Sequence, residues 1–329
     1  MQQWAAFMYV SHSFTEEHTT FEEIAAQWLV NIRLRIKESS YVKYHYLLQK
    51  HLLPELGGVE MSELTTDRAE AFVRKLLEQG RCDGNGGLAE KTVRDILWVL
   101  KDICLYAAYR NILVPCRFEM IRIRQPNVPI HILTKQEQKK LETFLLSDES
   151  LIKTGILMSL YMGLRLGEVC AQRKCHILRR EKLLQVRLTM QRLRNLDASE
   201  QEKKTKIIVA EPKSASSLRD IPIPAFLLKR LEALKNAPDN AYILTGSAEK
   251  YIEPRTMENI FRRYLKECGI EPVKYHALRH TFATRCIEKG FDIKSLSEIL
   301  GHANVNITLN LYVHSSMEQK RKNMNKLVL

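Results

Sequence analysis

The chain has no paired Cys-x-x-Cys spacing. Its seven cysteines are an odd number and lie scattered. That excludes a disulfide-stapled scaffold and leaves the reduced thiols of a cytosolic protein as the simplest reading. No apolar run approaches the roughly 20 residues that span a bilayer. The stretch Trp4–Val10 is too short for that, lacks a basic leader and shows no clear cleavage site. No Gly-x-x-x-x-Gly-Lys loop is present, so no nucleotide is expected. Internal repeats and low-complexity tracts are missing as well. Acidic residues are in deficit: 51 Lys and Arg face 38 Asp and Glu, a formal charge of +13. Apolar residues at 45% and charged residues at 27% supply a core, which excludes a disordered polyelectrolyte. A folded chain with this positive excess suits a polyanion. Nucleic acid is the expected partner, ahead of an acidic protein or a membrane surface.

At roughly 100–200 residues per domain, 329 residues predict two domains. Residues 1–20 show no period and read as a tail. Phe21, Ile24, Ala25, Trp28, Leu29 and Ile32 then recur at helical steps. Ser39 and Ser40 offer caps for a second helix, carrying Tyr41, Tyr44, Leu47 and Leu48 and stopped near Pro54. Thr65 or Thr66 starts a third, from about Asp67 to Gln79. Gly80–Gly87 reads as a loop. A fourth runs from about Ala89 to Arg110, with Val93, Ile96, Leu97, Leu100, Ile103, Cys104 and Ala107 on one face. These predict a four-helix domain over 21–123.

Arg124–Pro129 holds two prolines and no periodicity, so 124–132 reads as a linker. Beyond it Thr134 and Glu137 have capping-box spacing, and another helix is expected over Leu151–Met162. Short β-type runs follow at Leu183–Leu188, Lys206–Ala210 and Leu218–Ile223, with Asn195–Lys204 as a polar hairpin loop. Helices return at about Ala225–Lys235, Pro254–Cys268, His276–Lys289 and Ile293–Leu300. The fold class predicted is mainly α with one small antiparallel sheet in the second domain, 133–316.

Four segments of that domain carry chemistry: Gly163–Glu168, Pro212–Ser214, His276–Arg279, and Leu300–His302 followed by Tyr312 ten residues on. Arg165 and Arg279 suit a phosphate. Guanidinium forks bind non-bridging oxygens bidentately and stay charged at working pH. Glu168, three residues past Arg165, can orient that guanidinium. His276 and Arg279 share a helix face, and an imidazole near neutral pH accepts or donates a proton. Lys213 sits between two β-type runs, expected on a hairpin reaching toward DNA, where an ammonium can protonate a departing oxygen. Lys203, Lys204 and Lys206 are rivals, read as phosphate contacts or a solvated run. Gly301 stops a helix begun at Asp292 and holds His302 just past its end. Tyr312 is a nucleophile candidate. Its phenol, with a pKa of about 10, needs surrounding cations and a base. A zinc reading of His276 and His280 fails, because no carboxylate lies between them and Arg279 adds a cation. Cys170, Cys175 and His176 lack an evident fourth ligand and read as core.

In order and spacing, Arg165, Lys213, His276-x-x-Arg279, His302 and Tyr312 resemble the tyrosine recombinase (phage integrase) family. Leu300–His314 and the segment ending at Pro212–Pro222 look like integrases of conjugative transposons and temperate phages. The helical domain over 21–123 is similar to that family's core-binding domain. The resemblance implies a DNA strand exchange through a 3′-phosphotyrosine, with no metal and no cofactor, by a homo-tetramer on two duplexes and with an accessory DNA-bending excision factor. It implies that the two domains clamp DNA. Lys43, Lys50, Lys91 and Arg94 are candidate contacts on the helical domain. It also implies that the basic tail 317–329 docks on a neighbouring protomer. Many such integrases carry a separate arm-binding domain at their N-terminus. Only about 20 residues precede the helical domain here, so either the chain acts without one or its N-terminus is shortened. A dimer resolvase, a DNA-inversion enzyme, a type IB topoisomerase and a non-catalytic DNA-binding regulator are the competing readings. All six residues being present argues against the last.

Overall fold

The computed structural model describes residues 18–81, 84–124, 131–198, 203–212, 214–312, 321, 324 and 325, with the side chains of 310–312 set aside. The chain divides into two compact units, Met1–Val128 and Pro129–Leu329.

The first unit is helical. Helix α1 (Phe21–Arg33) starts at Thr20, which forms a capping box with Glu23. Its apolar stripe is buried as the periodicity requires: Phe21, Ile24, Ala25, Trp28 and Ile32. Phe21, Ile24 and Ile32 each contribute about 1.5–3 kcal/mol on leaving water. The Trp28 indole donates to Asp102 at 2.8 Å, so its polar edge is paired. Helix α2 (Glu38–Leu47) begins at Lys37 rather than at the serines, without a side-chain cap.

The helical segment ends at Leu56, two residues beyond Pro54 and near the expected stop, but its course to that point is not a plain helix. A π-turn (Leu48–Leu52) leads into helix α3 (Leu53–Leu56), which holds Pro54 in its first turn. A fresh helical turn needs no donor at its first positions, and the π-turn shifts the ladder just before the proline. Helix α4 (Thr66–Gln79) is capped by Thr65, and helix α5 (Glu90–Tyr109) buries Val93, Ile96, Leu100, Ile103, Cys104 and Ala107. Lys43 pairs with Asp95 at 2.8 Å on the surface of this bundle.

In the second unit helix α6 (Lys135–Leu145) carries the expected Thr134–Glu137 capping box. Helix α7 (Leu151–Met162) is buried on nearly every side and packs on helix α11 (Ala277–Glu288). Helix α8 (Leu166–Ala171) follows a short turn. Strands β1 (Ile177–Leu178), β2 (Leu183–Val186) and β5 (Arg219–Pro222) make one antiparallel sheet in the order β1-β2-β5. Strands β3 (Thr189–Arg194) and β4 (Thr205–Ala210) make a second, pairing from Thr189–Ala210 to Arg194–Thr205.

The expectation of a single sheet is therefore corrected to two. Two strands are missed from the sequence: β1, only two residues long, and β3, whose polar Gln191 and exposed Arg192 and Arg194 dilute its apolar signal. Asn195–Lys204 does join a hairpin, and the Asn195 amide donates to the Lys204 carbonyl at its base. Helices α9 (Ala225–Arg230), α10 (Pro254–Glu267), α12 (Ile293–Leu300) and α13 (Val305–Tyr312) complete the described unit, with α13 packed on α12 and α11. The molecule is mainly α with small antiparallel sheets. Among the described residues no helix is long and apolar enough to cross a membrane.

Candidate active site

Two glycine turns build the site. Helix α7 ends at Gly163 with φ +66°, and a Cβ there would lie 2.7 Å from the Phe282 ring. Helix α12 starts at Asp292, whose carboxylate accepts from the Ser295 amide at 2.8 Å, and ends at Gly301 with φ +65°. Left-handed backbone of this kind favours glycine.

Arg165 leaves the first turn as the residue capping α8. Glu168 accepts its backbone amide at 2.9 Å and its guanidinium Nη1 at 2.7 Å. Arg165 Nη2 donates across to the Gly301 carbonyl at 3.0 Å. Arg279, in the first turn of α11, is 1% exposed. Its Nη1 donates to the Gly163 carbonyl at 2.7 Å and its Nη2 to the Leu300 carbonyl at 2.6 Å. Each guanidinium thus ties to one or both turns, and the turns fix where the arginines stand. His302 follows Gly301. Its amide donates to the Ser297 carbonyl at 3.1 Å, and its Nδ1 shares a 2.8 Å hydrogen bond with the buried Thr308 hydroxyl on α13.

A further residue belongs to this network and escaped the sequence reading. Arg219, at the start of β5, is 8% exposed and bonds Glu168 with both terminal nitrogens, Nη1 to Oε1 at 3.0 Å and Nη2 to Oε2 at 2.8 Å. A signal was present: along β5 Arg219 and Ile221 alternate inward against outward Asp220 and Pro222, which places an arginine on an apolar face.

The charges settle the protonation states. Burial pushes the Glu168 carboxyl up, but the hydrogen bonds and charge of Arg219, with Arg165 beside it, prevail and hold it at about 2. His276 is exposed at the entry to α11. Crowding of its ring by surrounding protein nevertheless lowers its pKa, and His280, Arg279 and Arg165 add to this, bringing it to about 4. Burial, then Arg279, Arg165 and Arg219, hold His302 at about 4.

All three folded values lie below the unfolded ones, so the unfolded chain binds more protons in acid. Stability is full above about pH 6.5 and falls as pH drops through the histidine values near 4 and then toward the Glu168 value near 2. Urea midpoints across this range should show that fall. In parallel, the imidazole proton resonances of His276 and His302 should titrate well below 6.5; titration at 6.5 would refute the cationic environment.

The structure brings together Arg165, Glu168, His276, Arg279 and His302. Lys213 lies outside the described residues. Its flanking strands β4 and β5 belong to different sheets, which corrects the expectation that they form one hairpin around it. Tyr312 ends α13; its backbone is described and its side chain is not. The tail 317–329 lies outside the described residues apart from 321, 324 and 325. The His276 and His280 rings meet edge to face at 4.6 Å, and among the described residues no three His, Cys, Asp or Glu side chains are grouped as metal ligands.

The phage integrase family matches residues 131–319, and the N-terminal SAM-like domain of phage integrases matches residues 20–77. A "Tyrosine recombinase XerC-like" protein of Caldanaerobacter subterraneus is 28% identical, over 92% of this chain and 81% of that protein. The ICEBs1 integrase of Bacillus subtilis is 25% identical, over 94% of this chain and 82% of that protein. Among solved structures, the Tn1549 transposon integrase in complex with a circular intermediate DNA superposes with a TM-score of 0.73 at 21% identity, covering 94% of this chain and 99% of that one. These matches, with the site, define an enzyme of the tyrosine-type, site-specific DNA recombinase class. The family match spans more than half of the sequence, and the chain belongs to the phage integrase family.

Proposed function

We propose that the chain integrates and excises a mobile element, and that Arg165, Lys213, His276, Arg279, His302 and Tyr312 carry the chemistry with Glu168 in support. The observation behind this reading is the pair of guanidinium groups of Arg165 and Arg279, fixed by the Gly163 and Gly301 turns beside His302. Two such forks complement the charge that gathers on the non-bridging oxygens of a phosphodiester under attack.

The Tyr312 oxygen bonds to phosphorus as the 5′-oxygen leaves, and Lys213 gives that oxygen its proton. The phenolic proton passes to a base, and His276, neutral at working pH, is suited to accept it. A 3′-phosphotyrosine and a free 5′-hydroxyl result. The partner duplex's 5′-hydroxyl then attacks phosphorus and releases Tyr312. Two such rounds pass through a four-way junction, which calls for four protomers on two duplexes. An accessory DNA-bending factor would set direction. The helical domain over 21–123 grips the core site and 133–316 performs the chemistry. The ICEBs1 integrase among its relatives supports the integrase role over the resolvase role.

The test is covalent trapping. The full chain is incubated, in chelator, with a nicked suicide duplex drawn from the ends of the element that encodes it. A denaturation-resistant adduct, carried on the peptide that contains Tyr312, is the expected result. A duplex that is bound yet yields no adduct would refute the reading. Arg165→Ala should lower the trapping rate about 10²–10³-fold, as loss of a preorganised donor does elsewhere. A variant trapping at the wild-type rate would remove Arg165 from the clamp.

A further inference from the structure

Arg219 makes four side-chain hydrogen bonds within the network around Arg165 and His302. Besides its paired bonds to Glu168, its Nε donates to the Ile299 carbonyl at 2.6 Å and its Nη1 to the Ser217 carbonyl at 3.1 Å. Ile299 lies in the last turn of α12, just before the Gly301–His302 turn. Ser217 closes the short helical turn Ala215–Ser217 in the loop that follows position 213. Glu168 in turn holds Arg165 by backbone and side chain. The Gly301 turn rests directly on this guanidinium arm: a Cβ at 301 would lie 2.9 Å from Arg219 Cδ and 2.8 Å from the Ser216 carbonyl. One side chain therefore joins three pieces of backbone distant in sequence: the entry to α8 through Glu168, the loop after position 213 and the end of α12.

We propose that Arg219 is a positioning residue for strand transfer. It sets the relative placement of the Arg165 guanidinium, the Ala215–Ser217 turn and the His302 turn, and it does so through the planar fork rather than through its charge. The inference rests on the roles proposed above for Arg165 and His302. A buried ion pair is weak evidence of a stability device, since well-packed apolar residues often replace one at no cost. The specific feature here is valence. The Nε and both terminal nitrogens all donate, to three different segments, and a lysine has no rigid fork with which to reproduce that. Misplacing a reacting group by about 1 Å can cost about 10²-fold in rate.

The experiment compares wild type, Arg219→Lys, Glu168→Leu and the apolar double variant Glu168→Leu/Arg219→Met in the full chain. Each is assayed for thermal unfolding, for affinity toward the suicide duplex and for single-turnover cleavage rate. Arg219→Lys is expected to fold, to bind the duplex within about threefold of wild type and to cleave about 10²-fold more slowly. A structural role alone would lower binding and cleavage together. The His302 imidazole should also titrate at a different pH in this variant, because the guanidinium beside it is replaced by an ammonium placed elsewhere.

Arg219→Lys cleaving within threefold of wild type, while wild type forms the adduct, overturns this inference and leaves the recombinase reading intact. No adduct from wild type overturns both. If Arg219→Lys does not fold, the double variant decides. Folded, and slower than Glu168→Leu alone, it supports the clasp. Folded, and no slower than Glu168→Leu alone, it overturns it. Failure of both Arg219 variants to fold assigns Arg219 to folding alone and likewise overturns the proposal.

Discussion

Tyr312→Phe is expected to bind the suicide duplex with unchanged affinity and to form no covalent adduct at all. The substitution removes one oxygen and leaves the helix former, the volume and the ring. Position 312 lies one turn beyond Thr308 on α13, and the Thr308 hydroxyl holds the His302 ring at 2.8 Å. The helix that carries the proposed nucleophile is thus pinned to the imidazole expected to act on the same phosphate.

The chemistry explains why this loss should be complete while that of Arg165→Ala is partial. A phenol is ionised in only about one molecule in a thousand at pH 7, so the site must supply cations and a base to use it. Remove a cation and the attack slows. Remove the oxygen and no bond to phosphorus can form. Residual adduct in Tyr312→Phe, on any peptide, would mean a different nucleophile. Tyr264 and Tyr275 are the controls. Both are buried, and the Tyr275 hydroxyl is engaged with Ser159 at 2.9 Å, so Tyr275→Phe should leave trapping in place.

Much of this was legible in the residues. The stripe of α1, the capping box at Thr134 and the glycine stop at 301 follow from local rules, and local rules are what a sequence carries openly. Three features were not legible, each for a physical reason. Pro54 signals the nearby stop but not the π-turn that shifts the ladder ahead of it. The strand β3 exposes polar residues, so its pairing with β4 shows only in the register. The alternation along β5 points Arg219 inward but does not name its partners, because Glu168 is 51 residues away and the Ile299 carbonyl is 80 away. Long-range pairs of this kind leave no periodicity. The two arginines foreseen as a clamp were legible only through their motif, since Arg165 meets the Gly301 carbonyl across 136 residues.

Glu168→Ala carries the largest expected loss of stability. The carboxylate is 1% exposed and sits between Arg165 and Arg219, accepting from both guanidinium groups and from the Arg165 amide. Breaking a buried ion pair by deleting one partner typically costs about 3–5 kcal/mol, because the remaining charge stays buried without its counterion. Arg219 would keep the Ile299 and Ser217 carbonyls but lose both bonds to its anion, and Arg165 would lose the group that fixes its rotamer.

The measurement is urea unfolding of the full chain, followed in the Pro129–Leu329 unit. Its midpoint should drop for Glu168→Ala and recover for Glu168→Leu/Arg219→Met, where no charge is stranded. The pH dependence should change as well. Glu168 contributes stability that is present above its unfolded value of 4.5 and lost as pH falls toward about 2, so the variant should unfold with a shallower acid limb than wild type. Equal midpoints for Glu168→Ala and wild type would mean that water reaches the pair and that the carboxylate is not the counterion of both arginines.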